Sequence, residues 1–252
     1  ALRSELQRFN RLTGEVRRTL SDVQRAMKGE VAMSPLLEAI QASIVRGQIP
    51  AAWLSKSYPS LKPIGSYVND LLDRLRFFSK WIDEGSPPTF WLSGFYFTQA
   101  FLTSATQNFA RKYTVPIDAV VFAFEVMDPR LGEAEGYTVA PDDGVLVYGM
   151  FLEGAQWSHN ERSLTDAKPK VLYSDAPTIW FKPVEKHKAK ETAANAPMAY
   201  ECPVYKTSER RGTLSTTGRS TNFVTYLGLP TRVKTPEFWI ERGTACVLSL
   251  ST

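Results

Sequence analysis

The chain has 252 residues, enough for one large domain or two small ones with a sizeable hydrophobic core. Hydrophobic residues make up 43% of it and charged residues 22%, proportions that are ordinary for a soluble globular protein. The longest apolar runs, such as those at residues 119–124 and 145–152, are far too short to span a bilayer, and the net charge of +4 is too small to indicate nucleic-acid binding by itself.

The first part of the chain is predicted to be helical. Apolar residues recur at intervals of three, four or seven over residues 2–27, and basic residues surround them, so the pattern favours a helix with one core-facing side. A coiled-coil helix is the alternative interpretation. Ser34 and Pro35 are predicted to begin a second helix that ends at Gly47. A third helix is predicted at residues 64–84, because its apolar positions follow the helical period. The positions predicted to form its inner face are Val68, Leu71, Leu72, Leu75, Phe78 and Ile82.

Residues 95–112 form the last predicted helix, which is apolar around much of its circumference. A helix of this kind is buried or docked, so we expect part of its surface to meet neighbouring structure.

The hydrophobic period changes after residue 113 from helical to strand-like. Strands are predicted at residues 119–126, 144–153, 178–182, 200–206, 222–227, 238–241 and 245–250. No long helical pattern separates them, so the sheet is expected to be antiparallel and to form a small barrel or a sandwich. Residues 184–199 are polar and are predicted to be an exposed, mobile loop.

Motifs that could bind a nucleotide or a metal are weak. Residues 212–220 (GTLSTTGRS) resemble a phosphate-binding loop only superficially, because the glycine spacing is wrong and Arg219 stands in place of the lysine. His159 and His187 have no neighbouring cysteine, so a zinc site is not expected. We therefore expect no catalytic, cofactor-binding or metal site in this chain.

Acidic residues and cysteines also have structural explanations. The pair Asp142 and Asp143 and the pair formed by residues 133 and 135 lie beside glycine and proline and are interpreted as turn residues. Cys202 and Cys246 are too few for a disulfide framework or a metal site, so they are predicted to be buried free thiols in a reducing compartment.

A basic cluster is the candidate contact site for a partner. Lys206, Arg210 and Arg211 are predicted to contact an acidic surface, and a solvated turn is the alternative. Aromatic pairs such as those at residues 90–91 and 180–181 could stack on nucleic-acid bases, but within apolar runs they favour the core.

Several long blocks of the sequence resemble dynein heavy chains. The blocks are SYPSLKPIGSYVNDLLDRLRFFSKWID at residues 57–83, the segment at residues 90–113, YGMFLEGAQW at 148–157, IWFKP at 179–183 and the segment at 202–224. They occur in the order found in the C-terminal domain of the dynein heavy chains, and the first two resemble axonemal more than cytoplasmic dyneins. Arg219 departs from the family pattern, in which histidine is expected, and residues 184–199 match no block of the family.

The resemblance implies a fold and a place in a motor. The implied fold class is α+β, with a helical subdomain at residues 1–114 followed by an antiparallel, incomplete β-barrel at residues 115–252. Dynein is a microtubule motor with a ring of AAA+ modules, and this chain would follow the last of them. The ATP sites, with their bound ATP and magnesium, would lie upstream in the parent protein, so the resemblance assigns no catalytic residue here. The missing initiator Met also suggests a fragment of a longer protein.

The implied function is non-catalytic. The chain would pack on the AAA+ ring and modulate the force or the processivity of the motor. Its implied partners are the ring modules of the same heavy chain and, through the rest of the parent, dynein intermediate and light chains and microtubules; neither a membrane nor nucleic acid is expected. The implied location is cytoplasmic and cytoskeletal, in the axoneme of a cilium or flagellum.

Two other classes of protein remain open on the sequence alone. A free-standing β-barrel ligand binder would have an apolar cavity with a few converging polar groups. A nucleic-acid-binding module would have a contiguous basic face, and its binding would weaken steeply with salt.

Overall fold

The computed structural model describes residues 2–127, 137–189, 198–210 and 222–251 of the chain. Packing divides the chain into two compact units. The helical unit comprises Ala1–Asp83, Gly94–Phe97 and Leu250–Thr252, and the strand unit comprises Glu84–Ser93 and Thr98–Ser249. Gly94–Phe97, called here the returning segment, therefore packs with the helical unit although its neighbours in sequence belong to the strand unit.

The helical unit is built from four helices among the described residues. They are α1 (Leu2–Met27), α2 (Pro35–Val45), α3 (Ala51–Leu54) and α4 (Ile64–Glu84). The three helices predicted in this part of the chain are confirmed, and their ends follow local signals. The Ser34 hydroxyl accepts the N–H of Leu37 at 3.4 Å, and Pro35 occupies the first turn. Gly47, with a φ of +70°, follows the end of α2, where an L-residue would be strained.

The core of the helical unit is mainly aromatic. Phe9 of α1 packs against Phe78 of α4 with the ring centroids 5.3 Å apart, and against Tyr96 at 5.6 Å. Phe95 meets Phe78 edge to face at 5.5 Å. Aromatic pairs of this kind contribute about 0.5–1.5 kcal/mol beyond their buried area. The returning segment thus supplies two rings of this core.

The inner face of α4 differs from the predicted one. Leu71 and Phe78 are buried as predicted, but other predicted positions are exposed and two unpredicted positions are buried. The exposed residues are Val68, Leu72 and Ile82, and the buried ones are Tyr67 and Arg74. Arg74 is buried because its guanidinium donates to Asp70 at 2.7 Å and stacks over the ring of Tyr58 at 3.7 Å. Asp70 and Tyr58 thus compensate the charge of Arg74, a residue that the hydrophobic period alone predicts to be exposed to solvent.

Glu5 of α1 is a buried carboxylate, only 2% exposed. Its two oxygens accept the backbone N–H groups of Tyr96 and Phe97 at 2.5 and 2.9 Å. Burial raises the pKa of Glu5, and the two hydrogen bonds and the positive charges of Arg8 and Arg74 reverse only part of that rise. The carboxylate therefore holds the returning segment to α1.

The strand unit contains helix α5 (Thr98–Tyr113). Residues 95–97, predicted to be helical, instead belong to the returning segment. The buried residues of α5 include Phe101 and Leu102, and the Gln99 side-chain amide donates to the carbonyl oxygen of Phe223 at 2.9 Å. The apolar side of this helix is thus used in packing against the strands. The subdomain boundary near residue 114 stays a prediction about which segments fold independently.

The described strands of this unit form three sheets. They are β1 (Thr89–Trp91), β2 (Val120–Val126), β3 (Val145–Tyr148), β4 (Phe151–Glu153), β5 (Gln156–Ser158), β6 (Ser163–Thr165), β7 (Tyr173–Asp175), β8 (Ile179–Glu185), β9 (Ala199–Thr207), β10 (Phe223–Pro230) and β11 (Ala245–Ser249). One sheet has the order β1-β3-β8-β2, the second has the order β10-β9-β11-β4-β7, and β5 pairs with β6 alone. Most neighbours are antiparallel, but β1 pairs with β3 and β9 pairs with β11 in parallel.

The α+β fold class, with N-terminal helices followed by sheets, is confirmed. The β-barrel is not supported, because none of the sheets formed by the described strands closes on itself. β1 and β2 end one sheet, and β10 and β7 end the other. The alternative of a free-standing barrel that binds a ligand in its lumen therefore lacks the barrel that it requires.

The prediction of a strand at residues 238–241 is wrong. These residues belong to a short helix, α6 (Pro236–Glu241). Proline in the first turn has a φ that suits a helix, and Gly243, with a φ of +67°, follows the helix end. Trp239 is fully buried, so the apolar run that resembled a strand is the packed side of this short helix.

We expect the Gly144→Ala substitution to destabilise the chain by about 2–4 kcal/mol. Gly144 has a φ of +77°, and an added Cβ would overlap the carbonyl oxygen of Phe181. The matched control is Gly14→Ala, because Gly14 lies inside α1 with nothing within 4 Å of an added Cβ. That change should stabilise the chain by about 0.5–1 kcal/mol. Urea unfolding of both variants measures the difference, and equal effects would contradict the packing around Gly144.

The Glu5→Gln substitution tests the buried carboxylate through pH. Because the folded state raises the pKa of Glu5 above 4.5, it holds this proton more tightly than the unfolded state does. The free energy of unfolding contributed by Glu5 should therefore fall as pH rises from about 4.5 through the folded pKa. The wild-type chain should show this fall relative to the Glu5→Gln variant, since other titrating groups cancel in the difference. Parallel stability curves from pH 4 to pH 8 would be inconsistent with a buried carboxylate of raised pKa.

Candidate contact site around Arg210

Arg210 is the best defined of the predicted contact residues. It follows β9 with a left-handed backbone, at a φ of +52°. Its guanidinium pairs with Glu153 of β4 at 2.5 Å and donates to the carbonyl oxygen of Gly243 at 3.1 Å. The guanidinium also lies 5.4 Å from the ring centroid of Tyr205. Because 31% of the side chain stays exposed, Arg210 is anchored and still accessible from solvent.

The neighbouring predicted residue, Lys206, lies near the end of β9. Its backbone N–H donates to the carbonyl oxygen of Asn222 at 2.8 Å. The Asn222 side chain bonds Thr207 in both directions, accepting its N–H at 3.2 Å and donating to its carbonyl oxygen at 3.1 Å. Arg211 and the glycine-rich residues 212–220 lie outside the described part of the chain. That Lys206, Arg210 and Arg211 contact a partner stays a prediction.

A cavity of about 460 Å³ lies beside Arg210. Its walls come from β9, β10, α6 and the turn that follows α6, and they combine apolar and polar side chains. The wall residues include Pro203, Arg210, Tyr226, Pro236, Ile240 and Thr244. Ile240 and Tyr226 are exposed, and the buried hydroxyl of Thr244 has no hydrogen-bond partner among the described residues. An apolar rim beside a fixed guanidinium suits the side chains of a protein partner.

The acidic candidates serve structural contacts. Asp143 accepts hydrogen bonds from Lys112 at 2.8 Å and from the Tyr113 hydroxyl at 2.6 Å. Burial alone would raise the pKa of Asp143, but these hydrogen bonds outweigh it and bring the pKa below its ordinary value. The Asp143 carbonyl oxygen also accepts the indole N–H of Trp180. A carboxylate held in this way joins α5 to the turn before β3, in agreement with the predicted turn role.

The histidines lie on the surface. His159 is exposed, and His187 lies 3.9 Å from Glu185, which is itself bonded to Lys188 at 2.9 Å. The acidic residues at positions 133 and 135 lie outside the described residues. Over the described ranges, no group of three or more His, Cys, Asp and Glu residues could hold a metal ion. No described helix is long and apolar enough to cross a membrane.

Both cysteines are buried free thiols, as predicted. Cys202 of β9 and Cys246 of β11 lie on neighbouring strands with their sulfur atoms 3.8 Å apart. Burial raises the pKa of the Cys202 thiol well above its ordinary value. The Cys202 thiol is therefore a poor nucleophile, and because both cysteine side chains are fully buried, the pair contributes to core packing.

The chain belongs to the family of C-terminal domains of dynein heavy chains, whose model matches residues 1–248. It is 52% identical over 249 residues to dynein axonemal heavy chain 3 of Mus musculus, which covers 99% of this chain and 6% of that protein. It is 47% identical over 246 residues to dynein axonemal heavy chain 12 of Rattus norvegicus, covering 98% of this chain and 8% of that protein. It is also 44% identical over 246 residues to dynein axonemal heavy chain 1 of Homo sapiens. That match covers 98% of this chain and 6% of that protein.

These relatives confirm the predicted family and its axonemal type. They also indicate a cytoskeletal location, in the axoneme of a cilium or flagellum. The chain spans less than a tenth of the length of each of these relatives, at 6%, 8% and 6%.

The sequence predicted Arg210 as a contact residue but did not predict the residues that position it. Glu153 and Gly243 lie 57 and 33 residues away along the chain, so no local motif joins them to Arg210. The buried hydroxyl of Thr244, which has no hydrogen-bond partner among the described residues, was also not predicted, because no local pattern in the sequence signals it. The signal that the sequence offered was the basic cluster of Lys206, Arg210 and Arg211.

A double-mutant cycle measures how firmly Arg210 is anchored. We expect Arg210→Gln and Glu153→Gln to show a coupling energy of about 1 kcal/mol, because both side chains are partly buried. The matched cycle uses Arg242 and Asp166, an ion pair whose side chains are 43% and 51% exposed. Its coupling should stay below about 0.5 kcal/mol. Urea unfolding of the variants gives both energies, and a larger coupling for the exposed pair would contradict the anchoring of Arg210.

Proposed function

We propose that this chain is a non-catalytic domain of an axonemal dynein heavy chain, that it packs on the AAA+ ring of the same heavy chain, and that it modulates the force or processivity of an ATP-driven microtubule motor. The observation that carries the proposal is the family match over residues 1–248. ATP and magnesium would be bound by upstream modules of the parent protein. Intermediate chains, light chains and microtubules would be contacted through the rest of that protein.

The described polar residues support a mechanical role more than a chemical one. Asp143 joins α5 to a turn, Arg210 joins β4 to the turn after α6, and Cys202 is packed in the core with a raised pKa. A catalytic acid or base needs a position from which it can reach a substrate. These residues instead use their polar atoms to fix the fold, which suits a domain that has to keep its shape under load.

The Arg210 site supports the packing part of the proposal. It offers an anchored guanidinium beside the exposed side chains of Tyr226 and Ile240. Arginine and aromatic residues at the centre of a surface patch are typical of protein interfaces. A domain that packs on several moving modules restricts their relative motion, since packed interfaces switch between discrete arrangements.

Removal of the whole 252-residue segment from the heavy chain tests the proposed role. The whole segment has to be removed, because the returning segment belongs to the helical unit and a cut near residue 114 would separate α5 from its strands. ATPase activity should survive the deletion, while stall force or run length in an optical trap should change. Unchanged mechanics would refute modulation, and complete loss of ATPase activity would show that the segment is needed for the integrity of the ring.

Point variants of the intact motor test the contact site. Arg210→Gln and Arg242→Gln remove the same charge, but only Arg210 lines the 460 Å³ cavity. We expect Arg210→Gln to alter stall force or run length and Arg242→Gln to leave both unchanged. The same mechanical effect in both variants would remove the support for a specific contact at Arg210.

A further inference from the structure

A second cavity, of about 670 Å³, lies within the helical unit. One face of α1 forms one wall, with Ser4, Gln7, Arg8 and Arg11, which are spaced by three or four residues. Lys56, which follows α3, and Tyr96 of the returning segment form the other walls. The surface is therefore concave, polar and basic, and it shares no residue with the Arg210 site.

The charges of this cavity are incompletely neutralised. Lys56 pairs with Glu15 at 2.6 Å, and Glu15 also pairs with Arg18, so these charges are largely compensated. Glu5 attracts Arg8 but gives both of its oxygens to backbone N–H groups of the returning segment. Among the described residues, no carboxylate forms an ion pair with Arg8 or Arg11. The cavity thus holds two guanidinium groups that form no ion pair within the described part of the chain.

Arg8 is held in place by aromatic rings. Its guanidinium carbon lies 5.5 Å from the ring centroid of Tyr96 and 5.2 Å from that of Phe97. The Tyr96 hydroxyl donates to the carbonyl oxygen of Lys56, which fixes the ring. A guanidinium stacked on a ring keeps its N–H donors available at the edge, and less side-chain entropy is lost when it binds a carboxylate.

We propose that this cavity binds an acidic protein segment through two carboxylates, one on Arg8 and one on Arg11. Residues three apart on a helix present their side chains about 5–6 Å apart, which suits two acidic side chains of one segment. Arginine binds carboxylates in a bidentate manner, and the hydroxyl of Ser4 and the amide of Gln7 can bond the backbone of the same segment. The size of the cavity favours such a segment over a single small anion. Binding of such a segment to this cavity does not depend on the mechanical role of the domain.

Binding of a fluorescently labelled hexaglutamate peptide to the 252-residue chain tests the proposal. Fluorescence anisotropy at low ionic strength gives the dissociation constant. Arg11→Gln should weaken binding by about tenfold, because it removes a charge-assisted bidentate contact. Arg17→Gln is the matched control, since Arg17 also lies on α1 but does not line the cavity. It should change binding by less than about twofold.

Arg8→Lys separates geometry from charge. Lysine keeps the positive charge but lacks the planar fork and stacks less well, so binding should weaken by roughly three- to tenfold. The thermal unfolding midpoints of all the variants check that each remains folded. Side-chain NMR signals of Arg8 and Arg11 should shift when hexaglutamate is added, and the signal of Arg17 should not.

Other outcomes would overturn the proposal. Absence of hexaglutamate binding by the wild-type chain would refute it directly. Equal losses for Arg11→Gln and Arg17→Gln would show nonspecific attraction to a basic helix. Displacement of the peptide by inorganic phosphate at a lower concentration than by unlabelled peptide would assign a small-anion site instead. Tighter binding of a single-stranded oligonucleotide than of hexaglutamate would assign the cavity to nucleic acid.

Discussion

The helical unit depends on a buried carboxylate that bonds two backbone N–H groups. Glu5 holds Tyr96 and Phe97 through bonds that span 91 and 92 residues of sequence. A buried charge costs free energy unless it is paired and hydrogen-bonded, and here two amide donors and two nearby guanidinium groups offset part of that cost. Because these partners lie on different elements, the carboxylate is satisfied only when α1, α4 and the returning segment are all in place.

The contacts of Glu5 also help to position the aromatic core and the basic cavity beside α1. With Tyr96 and Phe97 fixed, Tyr96 packs edge to face on Phe9 at 5.6 Å and carries the stacked guanidinium of Arg8. The same buried charge attracts Arg74, which stacks on Tyr58 and bonds Asp70. Core packing, charge satisfaction and the shape of the basic cavity thus rest on one set of contacts. In a domain proposed to resist mechanical load, such interdependence makes local loosening costly.

Local signals in the sequence predicted much of the fold. The bounds of α2 follow from Ser34, Pro35 and Gly47, and the period of two located β2, β8, β9, β10 and β11. Strands β1, β5, β6 and β7 have three residues each, too few for an alternating pattern to appear. The strand predicted in place of α6 shows the same limit, since a helix of six residues is too short to display a repeating hydrophobic period. Strand patterns could not show whether the sheets close into a barrel, because closure depends on how the edge strands pair.

The candidate sites were predictable only in part, and the reason is sequence separation. The basic cluster marked Arg210, but its anchors Glu153 and Gly243 come from distant segments. Helical spacing predicted a solvated basic side of α1, yet it could not show that Arg8 stacks on Tyr96 or that Glu5 lies inside. Hydrophobic periodicity places a charged residue in water unless its partners are known. Buried charges such as Glu5 and Arg74 are therefore the features that the structure adds.

Amide hydrogen exchange at Tyr96 and Phe97 tests the central claim most directly. Neither residue lies in a regular helix or strand, so protection of its amide has to come from the Glu5 carboxylate. The account predicts slow exchange of both amides in the 252-residue chain and a marked loss of protection in Glu5→Gln, with the amides inside α4 unaffected. Exchange of Tyr96 and Phe97 in the wild-type chain at the rate of an unstructured peptide would contradict it.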